Sequence, residues 1–220
     1  MMNREVPANL LEELVAAAPV EKPVATRASS GTILQKAAAL VPALYGGAAD
    51  LAPSTKTDLK GVPYFSPENR AGRNFHFGVR ELGMGFIANG MALFGAAIAY
   101  SSTFFVFSDF MKPAIRLAAL QKLPVIYVFT HDSFFVGEDG PTHEPIEQLA
   151  MLRTIPGMTV IRPAEAIECA HAWAHAITAQ SPVALILTRQ DLRPLCECAR
   201  PKVALEKGAY VVSCEEGFEY

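Results

Sequence analysis

Apolar residues recur in two spacings along most of this chain. Short runs that are almost wholly apolar, the clearest being 124–130, are typical of strands buried on both faces of a sheet. Longer segments with apolar residues on one side only, such as 107–123, are typical of helices that cover such a sheet. The two kinds of segment alternate, which predicts an α/β fold: a parallel β-sheet flanked by helices on both faces.

The alternation also predicts where each element lies. Strands are predicted at 43–51, 73–79, 95–104, 124–130, 158–163 and 183–188, and helices at 31–41, 80–94, 107–123, 145–153 and 164–179. Residues 1–26 combine a short amphipathic patch around Leu10 and Leu14 with a proline-punctuated stretch, which predicts an arm or linker. We therefore place the domain at 27–195, followed by a further segment at 196–220.

Composition and charge narrow the functional classes. With 51% hydrophobic and 19% charged residues, the chain has the composition of an ordered globular protein. A net charge of −3 provides no basic patch, so no nucleic-acid or membrane partner is expected. Four unevenly spaced cysteines and a start without a secretory pattern predict reduced thiols and a cytoplasmic location.

Polar residues gather where the predicted strands end. Asp50 and Ser54 follow one strand, His131 follows another, and Arg189 follows a third, while Glu81 opens a helix. In open parallel sheets, ligands bind beyond the carboxyl ends of the strands. The N-termini of the helices lie at the same edge and offer backbone N–H groups to anions. The sequence therefore predicts a ligand site at this edge.

The loop 131–145 carries the densest chemistry. Its sequence, HDSFFVGEDGPTHEP, holds two histidines, four carboxylates and a Gly-Pro turn directly after a buried strand. Turn formation alone would explain Asp139-Gly140-Pro141, and a solvated loop would explain the charges. Two histidines that bracket a rigid turn favour a functional loop over a merely structural one.

Together these motifs resemble the transketolase family. THDSFFVGEDGPTHEPIEQLA is similar to the family segment THDS…GEDGPTHQPIE, and around it occur FGVRELGMG, STFFVFSDFMKPAIR, IRPA and LTRQDL in the family's order and spacing. The resemblance runs from about Val24 to Leu192. It implies a thiamine-diphosphate enzyme, of which this chain would be the central, pyrimidine-binding domain.

The resemblance assigns the cofactor side of the site. Glu81 matches the catalytic glutamate that hydrogen-bonds the aminopyrimidine ring, where a shared proton favours the imino tautomer that activates the thiazolium. Phe104, Phe107 and Phe110 match the aromatic slot for that ring, and Phe110 replaces a tyrosine that is common there. By spacing alone, at i, i+3 and i+6 on one helical face, the three would be core residues. By position alone, Glu81 would be a carboxylate favoured by the helix dipole.

The resemblance also assigns the substrate side. The groups that bind the sugar phosphate in the family are matched by Arg27, Ser54, His131 and Arg189. A phosphate dianion explains why two arginines would converge. Asp139 matches the carboxylate that contacts a substrate hydroxyl beside the carbonyl. His143 matches a catalytic histidine beside the two-carbon fragment, placed for hydrogen bonding or proton transfer.

The sequence departs from the family pattern in two ways. No GDG…N motif for the metal and diphosphate occurs in the 220 residues. Thiamine diphosphate and its Mg or Ca ion would therefore need a diphosphate-binding domain from the same gene or from a partner chain, and this chain alone is expected to be inactive. Leu82 stands where the family usually has histidine.

The resemblance further implies a homodimer that meets at the Gly-rich helix 82–94, and a linker at 196–220 toward a C-terminal domain.

Two alternatives remain open. Another thiamine-diphosphate enzyme, such as deoxyxylulose phosphate synthase, shares the superfamily, although THDS and TRQDL favour transketolase. A non-catalytic assembly or regulatory module with the same fold is favoured by Leu82 alone. His171 and His175 have a spacing that can bind metal, but no third ligand accompanies them, so no metal site is predicted in this chain.

Overall fold

A computed structural model describes residues 4–195 and 203–211 of the chain. Its strands are β1 (Val24–Ala25), β2 (Leu44–Ala48), β3 (Asn74–His76), β4 (Ile98–Phe104), β5 (Val125–Thr130), β6 (Thr159–Ile161), β7 (Val183–Leu187) and β8 (Asp191–Leu192). Its helices are α1 (Leu10–Ala16), α2 (Thr26–Leu40), α3 (Ala52–Thr55), α4 (Glu81–Phe94), α5 (Ser108–Leu120), α6 (Gln148–Arg153) and α7 (Ala166–Thr178). Short 3₁₀ turns occur at Phe105–Phe107, Pro141–His143 and Leu205–Lys207.

Six of the strands form one parallel sheet in the order β3-β2-β4-β5-β7-β6. β1 and β8 form a separate antiparallel pair. Each strand predicted from the sequence corresponds to one strand of this sheet, and the predicted α/β fold class is confirmed.

The sheet is buried because alternate residues along its strands enter two different cores. On β5, Ile126 and Val128 pack into the core formed with α1, α2 and α7. Val125, Tyr127 and Phe129 pack into the core formed with α4 and α5. A strand with apolar residues on both faces gives the continuous apolar run seen in the sequence. Helices therefore cover both faces, as predicted.

Helix α2 begins earlier than the apolar pattern predicted, at Thr26 instead of residue 31. The residues between these positions are small and polar, and alone they resemble a loop. In the structure Thr26, Ser29 and Ser30 are buried. Trp173 Nε1 donates to Ser30 Oγ at 2.8 Å, and the Thr26 N–H donates to Thr188 Oγ1 at 3.0 Å. Tertiary hydrogen bonds therefore extend the helix beyond its apolar stripe.

The N-terminal segment packs on the domain. Leu10 and Leu14 of α1 are buried in the core that contains α2 and α7. The proposed boundaries at 1–26 and 27–195 stay predictions, and most of 196–220 lies outside the described residues. Cys169 is a buried thiol, whereas the other three cysteines lie outside that range. Among the described residues, no helix has both the length and the apolar character needed to cross a membrane.

Candidate active site

The site lies where the chain reverses direction within the sheet. From β2 the chain passes outward to β3, then returns to the other side of β2 as β4. The loops after β2 and β4 therefore leave the carboxyl edge in opposite directions and open a crevice between them. This is the edge at which the sequence predicted a ligand.

Glu81 opens α4 at this edge. Because α4 follows β3 and α5 follows β4, both helices start at the carboxyl edge and run parallel. They approach closely at Gly85, where an added Cβ would lie 2.7 Å from Ala114 Cβ. One helical turn nearer the edge, the corresponding positions are Glu81 and Phe110, which places the start of α4 next to the turn of α5 that carries Phe110.

The Glu81 side chain lacks a hydrogen-bond donor within the part of the chain that the structure describes, although the residue is only 8% exposed. Its oxygens are not among the unpartnered side-chain atoms that are fully closed off from solvent, so a ligand can reach them. Its position therefore favours a ligand that brings the donor.

The three predicted phenylalanines form a row, but the prediction that they share one helical face is wrong. Phe104 ends β4, Phe107 ends the following 3₁₀ turn, and Phe110 lies in the first turn of α5. The rings of Phe104 and Phe107 lie 6.3 Å apart and parallel, and those of Phe107 and Phe110 lie 6.1 Å apart. The row runs from buried Phe104 to Phe110, which is 61% exposed. It thus offers apolar ring faces that open to the outside.

His131 closes the buried end of this row. Its ring stacks on Phe104 at a centroid distance of 3.6 Å. Arg27 Nη1 lies 3.4 Å from its Nε2, and Thr130 Oγ1 lies 2.9 Å from its Nδ1. Arginine can only donate, so Nε2 is the acceptor and Nδ1 carries the proton. Burial and the charge of Arg27 lower the pKa of His131 to about 4, with Asp139 acting in the opposite direction, so the ring is neutral at pH 7.

Two threonines bring the arginines of the site together. Thr188 Oγ1 accepts from the Thr26 N–H at 3.0 Å, and Thr26 Oγ1 accepts from the Thr188 N–H at 2.7 Å. Each threonine directly precedes an arginine, so Arg27 and Arg189 converge although 162 residues separate the threonines. Burial, reinforced by the charge of Arg189, lowers the pKa of Arg27. Two positive charges therefore face one another without full compensation.

The other residues predicted to bind substrate lie around this pair. Arg27 Nη1 donates to the backbone oxygen of Ser54 at 3.0 Å. Gly137, at a φ of 92°, lies against Arg189: an added Cβ would be 2.7 Å from Nη2. Asp139 belongs to the same loop, and the charge of its carboxylate acts to raise the pKa of His131. The loop 131–145 is therefore joined to both arginines.

His143 lies against the middle of the aromatic row. Its ring meets that of Phe107 edge-on at 5.4 Å, and Thr142 Oγ1 lies 2.9 Å from its Nδ1. Nε2 has no hydrogen-bond partner within the described ranges. By contrast, the rings of Phe134 and Phe135 in the same loop lie against each other at a tilt of 35°, are exposed and have no ring contact to the site.

The predicted site residues thus form two adjoining groups. The substrate group comprises Arg27, Ser54, His131, Asp139, His143 and Arg189. The cofactor group comprises Glu81, Phe104, Phe107 and Phe110. Among residues 4–195 and 203–211, no three His, Cys, Asp or Glu side chains are gathered so that they could hold a metal ion.

Comparison with known proteins identifies the family. The family model described as "Transketolase, pyrimidine binding domain" matches residues 22–194. The chain belongs to this family.

Individual transketolases agree with this assignment. The chain is 56% identical over 201 residues to the transketolase of Halalkalibacterium halodurans, with 90% of this chain and 30% of that protein covered. Against the Geobacillus stearothermophilus transketolase it is 57% identical over 194 residues, with 87% and 29% covered. The chain therefore spans about 30% of the length of these relatives.

Solved structures show the same fold. The Pichia stipitis transketolase in complex with sedoheptulose 7-phosphate superposes with a TM-score of 0.86 at 41% identity, covering 93% of this chain and 32% of that one. The structure of a split-gene transketolase, an inactive beta4 tetramer, gives a TM-score of 0.62 at 29% identity, covering 82% of this chain and 55% of that one. The fold is that of the transketolase pyrimidine-binding domain.

Sequence reasoning missed the contacts that hold this pyrimidine-binding domain's site in place. The Thr26–Thr188 pair was not predicted, and neither was the ion pair between Asp132 and Arg162, with Arg162 Nη2 2.7 Å from Asp132 Oδ2. The one signal that could have pointed to Arg162 is its place in the motif IRPA. A family motif does not say which distant residue its arginine contacts.

The transketolase family uses thiamine diphosphate, and the residues present fit its pyrimidine ring. The row of Phe104, Phe107 and Phe110 offers stacking surface for a flat heterocycle. At the end of α4 beside it, Glu81 has a carboxylate that lacks a donor within the described chain. These two features could hold an aminopyrimidine by its faces and by one ring nitrogen.

The depressed pKa of His131 predicts a pH-dependent stability. Between pH 6.5 and about 4 the unfolded chain binds a proton that the folded chain excludes, so the free energy of unfolding falls as pH falls through this window. In His131→Gln that component is absent, and the free energy of unfolding should fall less over the same range. Urea denaturation of both proteins at several pH values measures this, and identical pH dependences would contradict it.

Proposed function

We propose that this domain forms the pyrimidine side of a transketolase active site. The enzyme would transfer a two-carbon ketol unit from a ketose phosphate to an aldose phosphate. The observation that carries the proposal is the buried, unpartnered Glu81 beside an open aromatic row, in a chain that belongs to the transketolase family. A cytoplasmic location is proposed with it, from the sequence alone.

Glu81 is the residue that activates the cofactor. When bound, thiamine diphosphate supplies an acidic thiazolium carbon and an electron sink. Glu81 would hold and share a proton at the pyrimidine nitrogen of the bound cofactor. Phe104 and Phe107 exclude water from the ring, which strengthens that hydrogen bond.

The arginine pair binds the phosphate of the sugar. Because His131 is neutral at pH 7, Arg27 and Arg189 together supply the two positive charges that a phosphate dianion balances. Their forked N–H groups match phosphate oxygens. Ser54 fixes Arg27 through its backbone oxygen. This grip places the other end of the sugar toward the aromatic row.

His143 and Asp139 act on the reacting part of the sugar. With Nδ1 of His143 beside Thr142 Oγ1, its Nε2 is left to donate to, or accept from, the oxygen of the two-carbon fragment. Asp139 accepts from a hydroxyl next to the carbonyl. Both lie in the loop that contacts Arg189. One segment therefore positions the groups that bind the phosphate and the groups that act on the reacting carbons of the sugar.

A diphosphate-binding domain is the partner this proposal requires. It would hold the diphosphate and its Mg or Ca ion, and it would come from the same gene or from a partner chain. The similarity to a split-gene transketolase supports the second arrangement as one that the family permits.

The exposed face of α4 supports a homodimer. Large apolar residues recur along it at helical spacing and are exposed: Leu82, Phe86, Ile87, Leu93 and Phe94. Gly90 lies among them with open space around it, which allows close approach of a second helix. Gly85, by contrast, is used within the chain against α5. A two-fold axis would bury this face against its own copy.

A non-catalytic assembly module remains the second candidate function. Leu82 replaces the usual histidine with an exposed apolar residue on the α4 face, which favours association over catalysis. The two functions differ in what they demand of Glu81, since a module that only assembles makes no use of its carboxylate.

Glu81→Gln should impair activation of the cofactor in an enzyme that joins this domain to a diphosphate-binding domain. The amide can still hydrogen-bond the ring but cannot share a proton with it, so thiazolium proton exchange should slow by ~10²–10⁴-fold. Exchange into deuterated water, followed by NMR, measures this. As a contrast, Arg189→Ala should weaken binding of the ketose phosphate. Unchanged exchange in Glu81→Gln would favour the assembly module.

Ile87→Glu should weaken the proposed dimer. Two copies of the charge would be buried at a two-fold interface, raising the dimer dissociation constant by at least ~100-fold. Leu120→Glu is the matched control, because Leu120 is 69% exposed against 50% for Ile87 but lies on α5. Sedimentation equilibrium over a wide concentration range measures both. A parent chain that is monomeric throughout, or equal effects of the two substitutions, would count against α4 as the interface.

A further inference from the structure

One ion pair at the carboxyl edge is not accounted for by the substrate or cofactor groups. Arg162 Nε donates to Asp132 Oδ2 at 2.8 Å, and Arg162 Nη2 lies 2.7 Å from the same oxygen. The Asp132 side chain is 1% exposed, whereas that of Arg162 is 42% exposed. A buried carboxylate is therefore held by an arginine that reaches in from the surface.

The position of this pair in the sheet is unusual. Asp132 follows β5 and Arg162 follows β6, but β7 lies between these two strands. The pair therefore spans the carboxyl end of β7, where the chain continues through Thr188 to Arg189. It encloses the segment from which one of the two phosphate-binding arginines leaves the sheet.

The pair also fixes a residue in a rare backbone conformation. His131, directly before Asp132, has a φ of 61°, in the left-handed region that non-glycine residues seldom occupy. Such a conformation persists only where the surroundings hold it. Thr130 holds the ring of His131 on one side, and the Asp132–Arg162 pair holds the backbone on the other.

Within residues 4–195 and 203–211, no second side chain donates to Asp132. Its Oδ1 is buried without a hydrogen-bond partner in the described residues. Arg162 Nε and Nη2 both lie close to Oδ2, so among the residues that the structure describes Arg162 alone orients this carboxylate. Loss of the arginine contact would leave a buried charge unpaired, and the turn at His131 would then have to rearrange.

We propose that Asp132 and Arg162 are positioning residues for the phosphate-binding site formed by Arg27, His131 and Arg189. They hold His131 and Arg189 in place beside Arg27. This rests on the proposed function, in which those three residues meet the sugar phosphate. The pair itself contacts neither the aromatic row nor Glu81. Its loss should therefore impair recognition of the phosphate far more than the transfer of the ketol unit.

The test compares one sugar with and without its phosphate. In an enzyme that joins this domain to a diphosphate-binding domain, kcat/KM is measured for xylulose 5-phosphate and for xylulose. Asp132→Asn preserves the shape of the side chain but removes its charge. Arg162→Gln removes the guanidinium group and its charge. Each should lower kcat/KM for xylulose 5-phosphate roughly tenfold, the scale of one charge-assisted hydrogen bond, with a far smaller effect for xylulose. Arg162→Lys should recover part of the loss.

Glu13→Gln is the matched control. It breaks the ion pair of Glu13 with Lys36, which is also 2.7 Å long but joins α1 to α2 away from the site. It should change neither substrate's kcat/KM. A merely structural role of Asp132 would instead lower both values together and lower the melting temperature.

A binding measurement separates this inference from the proposed function. Calorimetric titration with xylulose 5-phosphate in the absence of thiamine diphosphate measures the dissociation constant of the sugar phosphate without turnover. Weaker binding to Asp132→Asn and Arg162→Gln than to the parent supports the positioning role, even if the parent transfers no ketol unit and the proposed function fails. Equal affinity in parent and variants, or equal losses for xylulose and its phosphate, would overturn the inference.

Discussion

The parallel register of the central sheet is the constraint on which the site depends. Because β2, β4, β5 and β7 all point the same way, each delivers its following residues to one edge. Burial of the strands on both faces fixes that register, since a slip by one residue would exchange the two cores. The helices then start at the same edge, which puts Glu81 beside the aromatic row. Site residues from Arg27 to Arg189 meet without any long structured insertion.

The electrostatics of the site follow from burial. At the carboxyl edge, Arg27, His131 and Arg189 lie close together, and His131 avoids adding a third positive charge by staying neutral. The threonine pair and the Asp132–Arg162 pair both hold this arrangement at the carboxyl end of β7. Arg27 is partly buried with the exposed Arg189 beside it, and an anionic ligand would balance these two charges. Glu81 is the opposite case: its carboxylate has no hydrogen-bond donor among the described residues, and a ligand could supply one.

The sequence predicted more of the architecture than of the detailed contacts within the site. Alternation of apolar runs predicted each strand of the sheet because strands buried on both faces leave a strong pattern. The resemblance predicted which residues gather, through motifs such as GEDGPTH. Neither predicted that Phe104 would end a strand, because equal spacing in sequence does not distinguish a helical face from a strand-to-helix turn. The Asp132–Arg162 pair was missed because it depends on β7 lying between β5 and β6, an order that local patterns do not encode.

The central claim is that this domain carries half of a ketol-transferring site and that a diphosphate-binding domain completes it. The most direct measurement is an assay of transfer from a ketose phosphate to an aldose phosphate, with thiamine diphosphate and magnesium present. The chain is assayed alone and together with the separately produced diphosphate-binding domain of the Geobacillus stearothermophilus transketolase, a relative with 57% identity in the matched region. We expect no transfer by the chain alone and transfer by the mixture. Turnover by the chain alone, or none in a mixture whose components demonstrably associate, would contradict the account.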